Sequence, residues 1–340
     1  MSFYAPDIAI DLGTVNTLVY VKGKGIVIRE PTLAVVDSNR PDRVLYVGEE
    51  AGYHLGRTRD SSEVVRPVVN GTIANFDIAK VMIRYFMRKA IGTNYLIKPK
   101  VLVSVPSGLP ALSRRAVVEA VQVAGAKKIY LVEKALAAAI GSGLPVYEPI
   151  GSMVVDIGGG TTDTAIVSLG GMVVSQSVDV GGQRMDESIV SYMKTYSSML
   201  IGDRTAEQVK IDLASAVPPA ENRYVHVRGR DLLSAHAMDV EFSTAQAYEA
   251  VREPCTAVLA SIKWVLERTP PELAADIMRN GIHLTGGASQ ISHLDRFIAT
   301  STGIPVLLAR EPADCTILGL GYLVDNQDLL DSLPPATIKG

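Results

Sequence analysis

The order of apolar and polar positions along the chain repeats itself once. In the first half an apolar run, Ile8-Ala9-Ile10, leads into Asp11-Leu12-Gly13-Thr14. A strand-like Thr17-Leu18-Val19-Tyr20-Val21, a Lys22-Gly23-Lys24-Gly25 turn and the run Ile26-Val27-Ile28 follow. Short β-branched runs separated by glycine turns predict a three-stranded meander. In the second half Met153-Val154-Val155 leads into Asp156-Ile157-Gly158-Gly159-Gly160-Thr161, then Thr164-Ala165-Ile166-Val167, a Leu169-Gly170-Gly171 turn and Met172-Val173-Val174. The meander is repeated at a period of about half the chain.

Each half then adds a strand, a helix, a strand and a helix of small residues. These run from Val101-Leu102-Val103 through Ala137-Ala138-Ala139-Ile140-Gly141, and from Ile282-His283-Leu284-Thr285-Gly286-Gly287 through Ile317-Leu318-Gly319-Leu320-Gly321. Strands alternating with helices after a meander predict an α/β fold of two duplicated halves, each a mixed sheet flanked by helices. Two segments have no counterpart, about 31–76 and about 182–243, and read as a subdomain inserted in each half. On this reading residues 1–145 with 315–335 form one domain, 146–314 the second, and 336–340 a tail beyond the helix-breaking Leu333-Pro334-Pro335-Ala336.

With 340 residues, 47% hydrophobic and 20% charged, the chain can bury two sizeable cores. A net charge of −3 with no Lys/Arg-rich run argues against nucleic acid as a partner. Cys255 and Cys315 are far apart in apolar stretches, which favours buried free thiols in a reducing cytosol. Met1 to Pro6 carries neither a basic nor an apolar targeting segment, and no apolar run reaches membrane-spanning length. The expectation is a cytoplasmic protein that is still able to lie against a membrane.

A glycine-rich turn lets backbone N–H groups approach an anion, and a neighbouring Thr hydroxyl can donate as well. Both turns here begin with a carboxylate at a strand end, which repels a bare phosphate unless Mg²⁺ stands between them. One such turn alone is better explained by plain hairpin chemistry. Two at matching places in a repeat point to a nucleotide with a metal. Strand rather than helix follows each turn, which disfavours a P-loop or a dinucleotide fingerprint. Thr285-Gly286-Gly287-Ala288 ends a strand at the rim where ligands of such sheets bind, and suits a base or ribose as well as a plain tight turn. Glu207 and Lys210 are spaced for an ordinary surface i,i+3 ion pair.

Taken together, these motifs make the chain resemble the superfamily of actin, hexokinase and Hsp70-type ATPases, and within it the bacterial actin family of MreB over nearly its whole length. The most specific stretches are Ile10-Asp11-Leu12-Gly13-Thr14-Val15-Asn16-Thr17, Val154-Val155-Asp156-Ile157-Gly158-Gly159-Gly160-Thr161-Thr162-Asp163, and Thr269-Pro270-Pro271-Glu272-Leu273-Ala274-Ala275-Asp276. The resemblance implies an actin-like ATPase fold with ATP or ADP and Mg²⁺ in a cleft. It also implies head-to-tail homopolymeric filaments on the inner face of the cell membrane, where they guide cell-wall synthesis with shape-determining partners. Carried over by position, Asp11 and Asp156 would organise Mg²⁺ through water, and Asp163 would join their acidic network. Gly13, Thr14, Val15, Asn16, Gly158, Gly159, Gly160 and Thr161 would hold phosphates; Glu207, Lys210, Gly286, Gly287 and Ala288 would lie against the adenosine.

One position departs from the family pattern. Relatives carry two glutamates before the Ala-Ala-Ala-Ile-Gly run, the second orienting or deprotonating the attacking water, whereas this chain reads Glu133-Lys134-Ala135. A lysine of ordinary pKa, about 10.4, is protonated at neutral pH and cannot take the water's proton. Glu133 is one residue early and points elsewhere, so ATP is expected to bind well and be hydrolysed slowly. A Lys134 turned to solvent is the alternative. Ala214 and Ala288 stand where relatives more often have Gly, a small loosening of the adenosine side.

The segment Asn94-Tyr95-Leu96-Ile97-Lys98-Pro99-Lys100 reads as a loop. By the resemblance Leu96 and Ile97 enter the bilayer, with Lys98 and Lys100 suited to anionic headgroups; the alternative packs both into the core. Three rival readings remain: a small-molecule kinase of the same superfamily, a chaperone-type ATPase and a non-polymerising ATP sensor. No base for a kinase substrate is identifiable, and no substrate-binding domain follows the ATPase halves.

Overall fold

The computed structural model describes residues 2–57, 61–333 and 336. Each meander is continued by parallel strands into a five-stranded sheet. The first runs Lys128–Glu133, Lys100–Val105, Ile8–Leu12, Asn16–Val21, Gly25–Pro31. The second runs Val306–Leu308, Ile282–Thr285, Ser152–Ile157, Thr162–Ser168, Gly171–Val178, which is the same order. The correspondence reaches the register. The middle and outer strands of each meander slip against each other, at Val19/Tyr20 in one and at Ile166/Val167 in the other. The central strands Ile8–Leu12 and Ser152–Ile157 are buried at every residue. Helices cover both faces, so near-continuous apolar runs suit them better than alternation.

The small-residue helices Lys134–Gly141 and Cys315–Asp325 cross between the sheets. Ala137, Ile317 and Leu320 pack with Ala9, Leu18 and Leu102 of the first sheet. Ala135, Ala138 and Ala139 pack with Val154, Ala165 and Val167 of the second, together with Cys315. Backbones meet at the crossing: a Cβ on Gly141 would collide with the Cys315 carbonyl, and one on Gly319 with the Ala137 carbonyl. The small side chains therefore set the separation of the two halves, because a larger residue would force the helices apart.

The segments without a counterpart hold two smaller three-stranded sheets. One orders Arg40–Val47, Ala34–Asp37 and Ser62–Val65. The other orders Met199–Leu200, Tyr224–Asp231 and Ala237–Ser243, beside helices Gly182–Ser197 and Asp203–Leu213. Both cysteines are buried and free. Tyr95–Ile97, read as loop, is a strand pairing in parallel with Ser2–Tyr4. Partners distant in sequence decide such a short strand, and local composition carries no trace of them. Of the expected tail only Ala336 lies within the described residues, and its N–H donates to the Ile129 carbonyl at 2.9 Å.

Candidate functional site

The two Asp-led turns meet tip to tip. A Cβ on Gly159 would collide with the Val15 side chain, and one on Gly160 with Thr14. These glycines thus let the opposite half approach, a demand independent of any phosphate. Gly158 N–H donates to the Thr161 carbonyl at 2.8 Å and closes the second turn. The Gly158 and Gly159 carbonyls accept from Gly182 N–H at 2.9 Å and Gln183 N–H at 2.8 Å, in the first turn of helix Gly182–Ser197. Thr14 Oγ1 accepts from Gly71 N–H at 3.1 Å, tying the first turn to its own inserted segment.

A cleft of about 1270 Å³ opens at this meeting point. Its walls include Asp11, Gly13, Thr14, Val15, Asn16 and Lys134 from the first half. From the second come Asp156, Gly158, Gly159, Gly160, Thr161, Glu207, Lys210, Gly286, Gly287 and Ala288. Gly286 sits at φ 83°, and a Cβ there would collide with the Ile157 backbone, so a side chain has neither a favoured conformation nor space. Two groups expected at the site, Asp163 and Glu133, do not line the cleft, nor does the Leu96-Ile97 pair expected at the membrane. Asp163 lies behind it, fully buried, and accepts from Ser107 N–H at 2.8 Å and Thr161 Oγ1 at 3.0 Å. Glu133 is held by Arg114 at 2.7 Å, and Leu96 with Ile97 lies on the separate two-stranded sheet.

Lys134 is buried at 6% exposure, which removes the solvent-pointing alternative. Its Nζ stands 3.6 Å from Asp11 Oδ1. Burial works to lower its pKa, but Asp11, Asp156 and Asp163 outweigh it and hold the ammonium above its ordinary value. Burial pushes Asp156 up to about 7 against the pull of Lys134, although Thr285 Oγ1 donates to it at 2.9 Å. Burial likewise raises Asp163, which faces Asp156 directly across the strand pair. Asp11 accepts from Ser104 Oγ at 2.5 Å.

Further along the cleft wall the ordinary Glu207–Lys210 pairing is replaced. Lys210 reaches Asp186 Oδ1 at 2.8 Å and the Gly182 carbonyl at 3.2 Å. Burial raises Asp186 to about 6 while Lys210 opposes it. Asp186 lines the cleft and was missed in the sequence, where an acid four residues after a glycine pair is no signal by itself. Arg66 of the first inserted segment faces Asp203 of the second at 3.7 Å across the cleft.

The resemblance assigns Mg²⁺ to Asp11 and Asp156. Among the described residues no group of three or more His, Cys, Asp or Glu is arranged to hold a metal. An ion bridged by water would also meet the Lys134 ammonium already beside Asp11. Mg²⁺ needs only one or two carboxylates beside its waters and the phosphates, so it is this ammonium, not the number of acids, that sets the residues present against the expected ion.

The family model described as MreB/Mbl protein matches residues 5–332. The chain belongs to the MreB/Mbl family. Among MreB/Mbl relatives, the cell shape-determining protein MreB of Escherichia coli (strain K12) is 42% identical over 330 residues, covering 96% of this chain and 95% of that protein. The cell shape-determining protein Mbl of Bacillus subtilis (strain 168) is 41% identical over 327 residues, covering 96% and 98%. MreB 5 of Spiroplasma citri bound to AMPPNP superposes with a TM-score of 0.89 at 32% identity, over 97% of this chain and 99% of that one. The same protein bound to ADP gives 0.87 at 34%, over 94% and 96%. The MamK double helical filament, 19% identical with a TM-score of 0.77, shares the fold. The actin-like architecture implied by the resemblance is therefore the one present.

The raised Asp156 makes stability depend on pH. The folded state holds this proton up to about 7 and the unfolded chain only to about 3.8, so the stabilisation is full below the lower value and is lost as pH rises through the upper. Asp186 acts in the same direction up to about 6. Nucleotide-free protein should melt lower at pH 8 than at pH 6, and Asp156→Asn should melt about 2–4 °C above the unsubstituted protein at pH 8. Thermal unfolding followed by circular dichroism checks this; equal melting temperatures at pH 8 would contradict it.

Proposed function

We propose that this chain is an ATP-binding, filament-forming cytoskeletal protein that maintains cell shape by guiding cell-wall synthesis. The observation that carries the reading is the meeting of the twin Asp-led turns in one cleft, in a chain whose relatives are named for determining cell shape. The AMPPNP and ADP complexes of the Spiroplasma citri relative support adenine nucleotide as the ligand. Phosphates would lie against the 13–16 and 158–161 turns, where glycine removes side-chain bulk. The adenosine would lie toward Glu207, Lys210, Gly286, Gly287 and Ala288.

Hydrolysis is slow on this reading. A buried lysine with a raised pKa stays protonated at pH 7 and has no lone pair with which to take a proton from water. Glu133 is engaged by Arg114 outside the cleft walls, and Asp163 is buried behind them with donors of its own in the Ser107 N–H, Thr161 and Ser177. The charge of Lys134 still favours the phosphates, so ground-state binding is kept while the water-activating step is lost.

Membrane contact through Leu96 and Ile97 is part of the same proposal. Leu96 is 70% exposed and Ile97 half-buried, so core packing does not account for Leu96. Lys98 is exposed beside them, whereas Lys100 pairs with Asp331 at 3.2 Å. No helix among the described residues is long and apolar enough to cross a membrane. Many weak apolar anchors on one filament would bind a bilayer far more tightly than one.

Purified protein with ATP should sediment as filaments and release phosphate slowly, and Lys134→Glu should raise the release rate by about tenfold or more, the scale of a general base. Ordinary family rates, unchanged in Lys134→Glu, would overturn the hydrolysis claim; failure to sediment across salts and lipids would favour a kinase or an ATP sensor. In liposome co-sedimentation, Leu96→Ser with Ile97→Ser should cut binding by at least about fivefold, as expected for losing two apolar contacts. Undiminished binding rejects this strand as the anchor.

A further inference from the structure

Asp11, Asp156 and Asp163 are 9%, 5% and 0% exposed, and a cluster of three carboxylates this deep needs a positive partner. Apart from Lys134, the groups that donate to them include Ser104, Thr285, Thr161, Ser177 and the Ser107 N–H, all neutral. Among the described residues Lys134 is the one basic side chain acting on the cluster. Lys210, the other lysine predicted at the site, is committed to Asp186.

The position of that ammonium is fixed by the fold. Lys134 opens helix Lys134–Gly141, where the positive end of the helix disfavours a cation. The following Ala135, Ala137, Ala138 and Ala139 are fully buried in the helix crossing, so the backbone cannot swing the side chain outward. Lys134 also lines the cleft, and its 3.6 Å distance from Asp11 exceeds a short hydrogen bond. An ammonium has three donors and no acceptor, so it can serve the carboxylates on one side and a phosphate oxygen on the other.

Exchanging Lys134 for glutamate would change the formal charge of the site by two units, the charge of one divalent cation. Together with the poor fit to Mg²⁺, this charge equivalence defines a role for the lysine. We infer that Lys134 is a resident cation standing in for the divalent metal, so that this chain binds a nucleoside triphosphate without requiring Mg²⁺. The inference rests on the nucleotide reading of the cleft. It adds that the protein supplies the cation itself.

The test compares the affinity of the full-length protein for a fluorescent, non-hydrolysable ATP analogue in excess Mg²⁺ and in EDTA. The unsubstituted protein should differ by less than about fivefold between the two conditions, and Lys134→Glu should bind at least about tenfold more weakly in EDTA. A loss of fivefold or more for the unsubstituted protein in EDTA overturns the inference while leaving nucleotide binding intact. So does a folded Lys134→Glu that is equally indifferent to EDTA, its folding being checked by thermal melting. Should the variant not fold, the ratio for the unsubstituted protein decides alone. Absence of binding in both conditions would instead overturn the nucleotide reading itself.

Discussion

The pairing of one buried ammonium with three buried carboxylates is the constraint on which the site depends. Asp156 and Asp163 face each other across adjacent strands, an arrangement in which like charges destabilise a sheet. Lys134 stands 3.6 Å from Asp11 and draws on all three acids to keep its charge. It can do so only because helix Lys134–Gly141 is clamped against Cys315–Asp325 at Gly141 and Gly319. The crossing that joins the two halves is therefore the device that delivers the cation. Packing, at the level of absent Cβ atoms, decides the electrostatics of the cleft.

The duplicated architecture follows from the same sequence logic. Two meanders with equivalent slips of register, each extended by two parallel strands, place an aspartate at the end of each central strand. Their turns then meet because Gly159 and Gly160 leave space for Val15 and Thr14. Phosphate binding and contact between the halves make the same demand on these residues. Contact between the halves is enough to require glycine there, and a bound phosphate would add the same requirement.

The fold was legible because its periodicities are long and repeated: apolar runs, glycine turns and small-residue helices recur in one order in each half. The cleft walls were legible through the twin turns and the resemblance to the MreB family. Other features depend on contacts distant in sequence. The Tyr95–Ile97 strand exists through pairing with Ser2–Tyr4, and Lys210 turns to Asp186, 24 residues away, instead of Glu207 one helical turn away. The anomaly at Lys134 was visible in the sequence, but its burial among carboxylates was not, since exposure and burial of one lysine are equally compatible with Glu-Lys-Ala. What changed the chemistry was its location.

A high-resolution structure of the protein with a non-hydrolysable ATP analogue, grown with Mg²⁺ in solution, tests this account most directly. The account predicts Lys134 Nζ within about 3.2 Å of a phosphate oxygen, with no metal held through water by Asp11 and Asp156. A hydrated Mg²⁺ seated between those two carboxylates, with Lys134 turned away from the phosphates, would contradict it.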